Sequence, residues 1–416
     1  MSDEALRQAA LAYHAMPRPG KIGTHVFKPA ESSRDLALAY SPGVAEPVLA
    51  IAADPEAAYE YTNKGNLIGI VTDGSAILGL GNLGALASKP VMEGKALLFK
   101  RFADLDCVDI EINAETAESF IDTVARIADS FGGINIEDVG APQCFAIEEA
   151  LRARCKVPVF HDDQHGTAIC VVAGLLNALE LQGKRLNEAK IVCLGSGAAG
   201  TATLRLLRSM GVPVANMTAV DRQGVIHAGR ENLPDYKAEF ANESRHRTLA
   251  DALRGADVFI GVSAAGLLDA ELLRSMAPRP VIFALANPEP EVRPSAARAI
   301  RDDVIVATGR SDFPNQVNNV LCFPFIFRGA LDVRAHAITE EMKIAAAHAI
   351  ANLTKEAVPE EVIKAYPDVT GLVFGPEYIL PKPMDPRLRE VVASAVAKAA
   401  IASGVAGKAY PSHYLK

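Results

Sequence analysis

The chain contains no tryptophan, and none of its six cysteines stands in a C-x-x-C pair. Cys107, Cys144, Cys155, Cys170, Cys193 and Cys322 are scattered, most of them in apolar runs. That is the pattern of free, buried thiols in a reducing cytosol. No apolar stretch is long enough for a membrane span. The start, Met1-Ser2-Asp3-Glu4, is acidic and has no signal-peptide hydrophobic region, so a cytoplasmic protein is expected. No long basic run occurs and the formal charge is −8, which argues against a nucleic-acid partner. Internal repeats and low-complexity tracts are also missing. What remains is an ordinary globular composition, half apolar, over 416 residues. That length is enough for two or three domains.

Two glycine patterns stand out. Lys190 to Leu194 reads as a buried strand, followed by Gly195-Ser196-Gly197-Ala198-Ala199-Gly200, a G-x-G-x-x-G match. Gly195 would permit the tight turn, Gly197 close approach to phosphate, and Gly200 helix–sheet packing. A helix then runs toward Gly211, and its free N–H groups would face a pyrophosphate. A second strand, Val214 to Val220, ends at Asp221, about 20 residues past the last glycine, where ribose recognition would place an acid. The second pattern, Gly79-Leu80-Gly81-Asn82-Leu83-Gly84, is followed by Pro90, which should interrupt the next helix, and no clean strand ends at Asp104. That site reads as a tight structural turn.

Two other strands each end in an acidic pair. Ile134-Asn135-Ile136 runs into Glu137-Asp138, and Val157 to Phe160 runs through His161 into Asp162-Asp163, with a helix over 143–153 between them. If the strands are parallel neighbours, four carboxylates lie at one sheet edge, where α/β proteins bind ligands. Clustered carboxylates repel one another unless a cation is present, and oxygen-only ligands select Mg²⁺ or Mn²⁺. The competing reading is that each pair caps a helix. Equivalent placement of the two pairs favours metal. His161 and His165 have a zinc-like spacing. It is discounted because Gly166 follows at once, leaving packing or support as their expected role.

Strands at 257–262, 280–284 and 303–307 alternate with helical sequence and point to a parallel sheet. Asn287-Pro288 and Asn318-Asn319 follow the last two. Alanine-rich helices are expected at 339–353 and 387–403. Taken on spacing alone, Tyr40 is a half-buried aromatic at the Pro42-Gly43 turn. Lys95, straight after Gly94, is a solvated lysine opening an apolar helix.

In this order, Tyr40-Ser41-Pro42-Gly43-Val44, Ile77-Leu78-Gly79-Leu80-Gly81, Gly94-Lys95-Ala96-Leu97, Glu137-Asp138, Phe160-His161-Asp162-Asp163, the glycine turn, Asn287-Pro288 and Asn318-Asn319 resemble malic enzyme in its short bacterial form. The resemblance covers nearly the whole chain. It implies an N-terminal α/β substrate and metal domain over 1–160. A Rossmann-type, doubly wound dinucleotide domain would follow over 161–385, then a helical segment over 386–416. The activity implied is oxidative decarboxylation of (S)-malate to pyruvate and CO₂, with NAD or NADP reduced and Mg²⁺ or Mn²⁺ required. Alternatives are a malolactic-type enzyme that yields lactate and a non-catalytic dinucleotide sensor. By resemblance Tyr40 is the general acid, Lys95 the general base, and Asp162 the group that orients the lysine. Glu137, Asp138 and Asp163 are the metal ligands. Asn287 and Asn319 contact substrate or cofactor, and a homodimer is expected. Asp221 favours the ribose diol of NAD, whereas Arg222 would accept the 2′-phosphate of NADP. One departure is Ala76, where eukaryotic members carry a malate-gripping arginine.

Overall fold

Apolar, β-branched runs that are buried on both faces form parallel strands, since only helices on either side can cover them. Here they form two sheets. In a computed structural model describing residues 3–77, 79–367, 369 and 371–415, the first sheet holds β1 (Leu67–Thr72), β2 (Asp106–Glu111), β3 (Gly133–Ile136) and β4 (Val159–His161). Their order is β2-β1-β3-β4, all parallel. Met1 and Ser2 of the acidic start and Leu78 of the Ile-Leu-Gly loop lie outside the described residues.

The second sheet holds β5 (Ile191–Leu194), β6 (Met217–Asp221), β7 (Gly224–Val225), β8 (Val258–Gly261), β9 (Val281–Ala284) and β10 (Ile305–Thr308). Its order is β10-β9-β8-β5-β6-β7, parallel except for the β6–β7 pair. The chain winds from β5 to β6 on one side and returns to β8 on the other. The carboxyl end of β5 is therefore the switch point, where open α/β sheets bind ligands. The Gly195–Gly200 turn sits there.

One helix, Asp162–Leu181, ties the sheets together. It starts directly after β4 and is buried along most of its length. Its Gly174 comes close to Phe283 of β9 and to Leu380. Helix Glu340–Leu353 packs on it, Arg387–Ala402 packs on Glu340–Leu353 and on Phe323–Asp332, and one apolar core runs from Ile68 and Ile70 through Phe323 and Phe327 to Ile191 and Phe283.

Four sequence expectations fail here. Pro90 does not interrupt the helix after the second glycine pattern, because Ala85–Leu98 runs straight through it. The carbonyl that proline leaves without a helical partner belongs to Leu86, which is 83% exposed and open to water. Lys95 therefore lies in the last turn of that helix and does not open a new one. Gly166 likewise does not break its helix: a Cβ there would meet Asp162 Oδ1 at 1.9 Å, so glycine lets the first turn close over that carboxylate. Finally, the strand expected from Val214 begins only at Met217, after a single 3₁₀ turn over Val214–Asn216. The 79–84 pattern does form a tight turn, with all three glycines at positive φ.

The β5 turn matches its glycine spacing. Gly195 adopts φ +110°, and the carbonyl of Val262 lies 2.8 Å from where its Cβ would be. A Cβ on Gly200 would meet the Gly195 carbonyl oxygen at 1.9 Å, so the Ala198–Ser209 helix approaches the strand only because that atom is missing. Gly200→Ala should push the helix off the sheet and destabilise the protein by roughly 1–3 kcal/mol. Urea denaturation checks this, and an unchanged midpoint would contradict the packing described.

Candidate active site

β3 and β4 are parallel neighbours with Ile136 opposite His161, so the residues that follow them share one edge. Glu137, Asp138 and Asp163 bring their carboxylate oxygens within 4.8 Å of one another. Asp138 takes a left-handed conformation, φ +53°, and its N–H donates to Asp163 Oδ2 at 2.9 Å. This turns the loop back across the first turn of the Asp162–Leu181 helix. The capping explanation of these acids fails for Asp162, whose carboxylate takes no N–H of its own helix and faces Lys95 and Asn319 instead.

Lys95 fills the centre. Its Nζ lies 2.6 Å from Asp162 Oδ2, 2.8 Å from Glu137 Oε1 and 4.1 Å from the centre of the Phe323 ring. With a side chain only 9% exposed, it is no solvated lysine. Burial on its own would lower its pKa, but Asp162 and Glu137 outweigh burial and hold the amine as an ammonium, above its ordinary value. Glu137 is pushed the other way. Burial raises its pKa well above the usual carboxylate range, Lys95 opposes the rise, and Asp163, Asp162 and Asp138 add to it. One ammonium thus leaves the cluster short of positive charge. An all-carboxylate set of this size suits a hard divalent cation such as Mg²⁺ or Mn²⁺.

Other side chains support the cluster. Asn319 Nδ2 donates to Asp162 Oδ2 at 2.7 Å, reaching across from the loop that follows β10. Asn135 Nδ2 donates to Glu137 Oε2 at 2.9 Å. Asn135 and Phe323 were missed in the sequence, although an asparagine inside an apolar strand, two residues before Glu137, was a readable signal. The Ala76 N–H donates to the Asp138 carbonyl. The two histidines have separate partners: His161 Nε2 faces the Val139 carbonyl at 3.2 Å, and His165 pairs with Glu148 at 2.8 Å. His161 Nδ1 also lies 3.8 Å from Asp163 Oδ2, and the two histidines do not share a partner.

Two expected residues stand apart. Asn287 lies in the loop after β9, its Nδ2 3.4 Å from the Leu285 carbonyl, and its own carbonyl abuts the Gly79 turn. That contact brings the first glycine pattern against the second sheet. Tyr40 is 76% exposed, neither half-buried nor in contact with Lys95. At the dinucleotide turn, Asp221 is engaged on both oxygens by Arg230, at 3.0 and 3.1 Å, with Lys237 at 2.7 Å. Burial opposes its charge, but these hydrogen bonds prevail and hold it at about 2. Arg222 beside it is exposed.

Residues 164–373 match the family described as "Malic enzyme, NAD binding domain", and residues 19–119 match "Malic enzyme, N-terminal domain". An NADP-dependent malic enzyme of Halomonas elongata is 62% identical over 99% of this chain and 97% of its own length. The chain belongs to the malic enzyme family. It spans about half of two Rhizobium meliloti malic enzymes, one NADP-dependent and 57% identical (53% of its length), one NAD-dependent and 56% identical (52%). They match 96% of this chain in each case. The crystal structure of a malic enzyme from Pyrococcus horikoshii superposes with a TM-score of 0.90 at 44% identity, covering 99% of this chain and 94% of that one. Tyr40 and Lys95 lie within the N-terminal malic enzyme match. The glycine turn, Asp221, Asn287 and Asn319 lie within the NAD-binding one.

Behind the carboxylates, a cavity of about 660 Å³ is bordered by Glu148, His165, Arg152 and Lys343. Glu148 accepts from Gln164 as well as facing His165, and Lys343 Nζ lies 3.1 Å from His165 Nδ1. Burial disfavours the Glu148 charge, but His165 and Lys343 overcome it and bring Glu148 down to about 2. A depressed carboxylate pKa stabilises the fold above its unfolded value of about 4.3, and this stabilisation is lost as pH falls toward 2. Glu148→Gln should cost about 3 kcal/mol at neutral pH and flatten the loss of stability between pH 4.5 and 2. Denaturation midpoints across that range measure it; parallel curves for variant and parent would contradict it.

Proposed function

We propose that this chain oxidatively decarboxylates (S)-malate to pyruvate and CO₂, reducing a nicotinamide dinucleotide and using a divalent cation. The observation that supports this most is the double duty of Glu137, which belongs to the three-carboxylate cluster and also touches the Lys95 amine. Glu137, Asp138 and Asp163 would hold the cation, which would supply Lewis-acid polarisation of the substrate carbonyl and, as a neighbouring positive charge, would lower the proton affinity of Lys95.

The chain's own groups then have distinct tasks. Neutral Lys95 takes the proton of the C2 hydroxyl as general base. Asp162, itself fixed by Asn319, aims the amine, and the Phe323 ring walls it from water. The Gly195–Gly200 turn and the first N–H groups of its helix would hold the pyrophosphate of the dinucleotide. Asn287 orients substrate or nicotinamide from the loop after β9. After CO₂ departs, Tyr40 returns a proton to C3. The same reading takes the protein as a cytoplasmic homodimer divided at residues 160 and 385. No helix among the described residues is long and apolar enough to cross a membrane.

Asp221 bears on cofactor choice. Arg230 and Lys237 already occupy both of its oxygens, so the carboxylate is poorly placed to accept a ribose diol. With Arg222 they leave a surplus of positive charge at the end of β6, which favours the 2′-phosphate of NADP. Arg230→Ala should weaken NADPH binding about tenfold and leave NADH binding little changed, as read by cofactor fluorescence. Equal losses for both would remove the preference.

Assays with malate, Mn²⁺ and each cofactor, scored for CO₂, pyruvate and lactate, test the reaction. Lys95→Ala should slow oxidation by about 10²–10⁴ while dinucleotide binding persists. Lactate as the product would support the malolactic alternative. No turnover by the intact chain would leave a dinucleotide sensor.

A further inference from the structure

Glu291, in the loop after β9, is 0% exposed and stands apart from the acids around Lys95. Its hydrogen-bond donors are backbone N–H groups, not cations: Oε1 accepts from Ser263 at 3.0 Å and Oε2 from Ala286 at 3.1 Å. Burial disfavours its charge, and these N–H groups oppose that effect. The two bonds join two loops. Ser263 lies in the loop after β8 and Ala286 in the loop after β9, at the same end of neighbouring parallel strands. The main chain strengthens the tie, since Gly266 donates to the Pro290 carbonyl and Leu268 to the Glu291 carbonyl, each at 3.2 Å. β8 leaves room for the carboxylate: a Cβ on Gly261 would meet Glu291 Cδ at 2.4 Å.

Above this clamp both loops are exposed, residues 263–267 on one side and Asn287 and Pro288 on the other. Each bonded N–H adjoins a residue that matters to the cleft. Val262, before Ser263, backs the Gly195 turn with its carbonyl, and Asn287, after Ala286, abuts the Gly79 turn with its own. Sheet order decides which half of a dinucleotide the two loops would meet. β5 has β6 on one side and β8 on the other, and a dinucleotide crosses that switch point with its pyrophosphate at the turn after β5. Asp221, the ribose-reading position, ends β6, so the adenosine half belongs to the β6 side and the nicotinamide half to β8 and β9. The clamp lies under that second half. Asn319, which bonds Asp162 in the Lys95 site, follows β10 on the same side.

We propose that Glu291 is a positioning residue for hydride transfer. By tying the loops after β8 and β9 it fixes the nicotinamide half of the bound dinucleotide, and it leaves the adenosine half to the glycine turn. This deepens the dehydrogenase reading and rests on it. Two N–H groups require two acceptor oxygens at once. A glutamine amide would accept from one and turn its own NH₂ toward the other.

The test titrates full-length wild-type and Glu291→Gln protein by calorimetry with NADPH and with its nicotinamide-free fragment, 2′-phospho-ADP-ribose. NADH and ADP-ribose replace them if NADH binds more tightly. Glu291→Gln should weaken the dinucleotide about tenfold and the fragment by less than about twofold, and slow hydride transfer at saturating dinucleotide by about 10²-fold. Equal losses for both ligands would make Glu291 a general support of the fold, and no loss for either would leave the clamp without a role; each result overturns the proposal. If the glutamine variant does not fold, Glu291→Asp, which keeps the charge and retracts it by one methylene, is read in the same way. A wild-type chain that binds neither ligand would instead remove the dinucleotide reading beneath the proposal.

Discussion

One ammonium group buried among carboxylates sets the terms for the rest of this molecule. Removing Lys95 and its acidic neighbours from water is costly, and their attraction offsets this only when the geometry is close. The fold provides that geometry through the parallel register of β3 and β4, which delivers four acids to one edge. The helix through Pro90 raises the lysine to meet them. The balance is left incomplete on purpose: Glu137 has more negative neighbours than one amine can satisfy. Such a set of carboxylates suits a hard divalent cation.

Much of this was legible in the sequence, for identifiable reasons. Strands β3, β4 and β5 are short apolar runs with abrupt polar ends, so both their existence and the chemistry at their carboxyl ends could be read. The glycine turn was equally plain, because Gly195 and Gly200 are demanded by a positive φ and a 1.9 Å approach. Lys95 was not legible from its spacing. Its burial depends on Glu137, Asp162 and Phe323, which lie 42 to 228 positions away, and only the family resemblance singled it out. Local rules also misjudged Pro90 and Gly166. Each is normally a helix breaker, and each is tolerated here by a tertiary circumstance: an exposed carbonyl for one, a carboxylate that needs room for the other.

The Asp162–Leu181 helix links the two sheets mechanically. Its first turn carries Asp162 and Asp163 at the carboxylate edge, its middle faces β9 through Gly174, and its His165 is held between Glu148 and Lys343. A displacement of the second sheet would be felt at Asp162 through a rigid, buried rod. The segment before residue 67 has the opposite character: none of its described residues is buried, and polar contacts such as those of Lys21 with Glu93 and of Asn66 with Asp104 and Asp106 tie it to the body.

Asp162 receives one donor from each side, Lys95 from the first sheet's helix and Asn319 from the loop after β10. The carboxylate is in effect a joint between two walls of the cleft. Chimeras that exchange the dinucleotide half for that of a relative would keep the carboxylate cluster and still misplace the Lys95 amine unless the incoming half brings an amide at position 319. Recombination within this family should therefore tolerate crossovers that preserve that seam and reject those that split it.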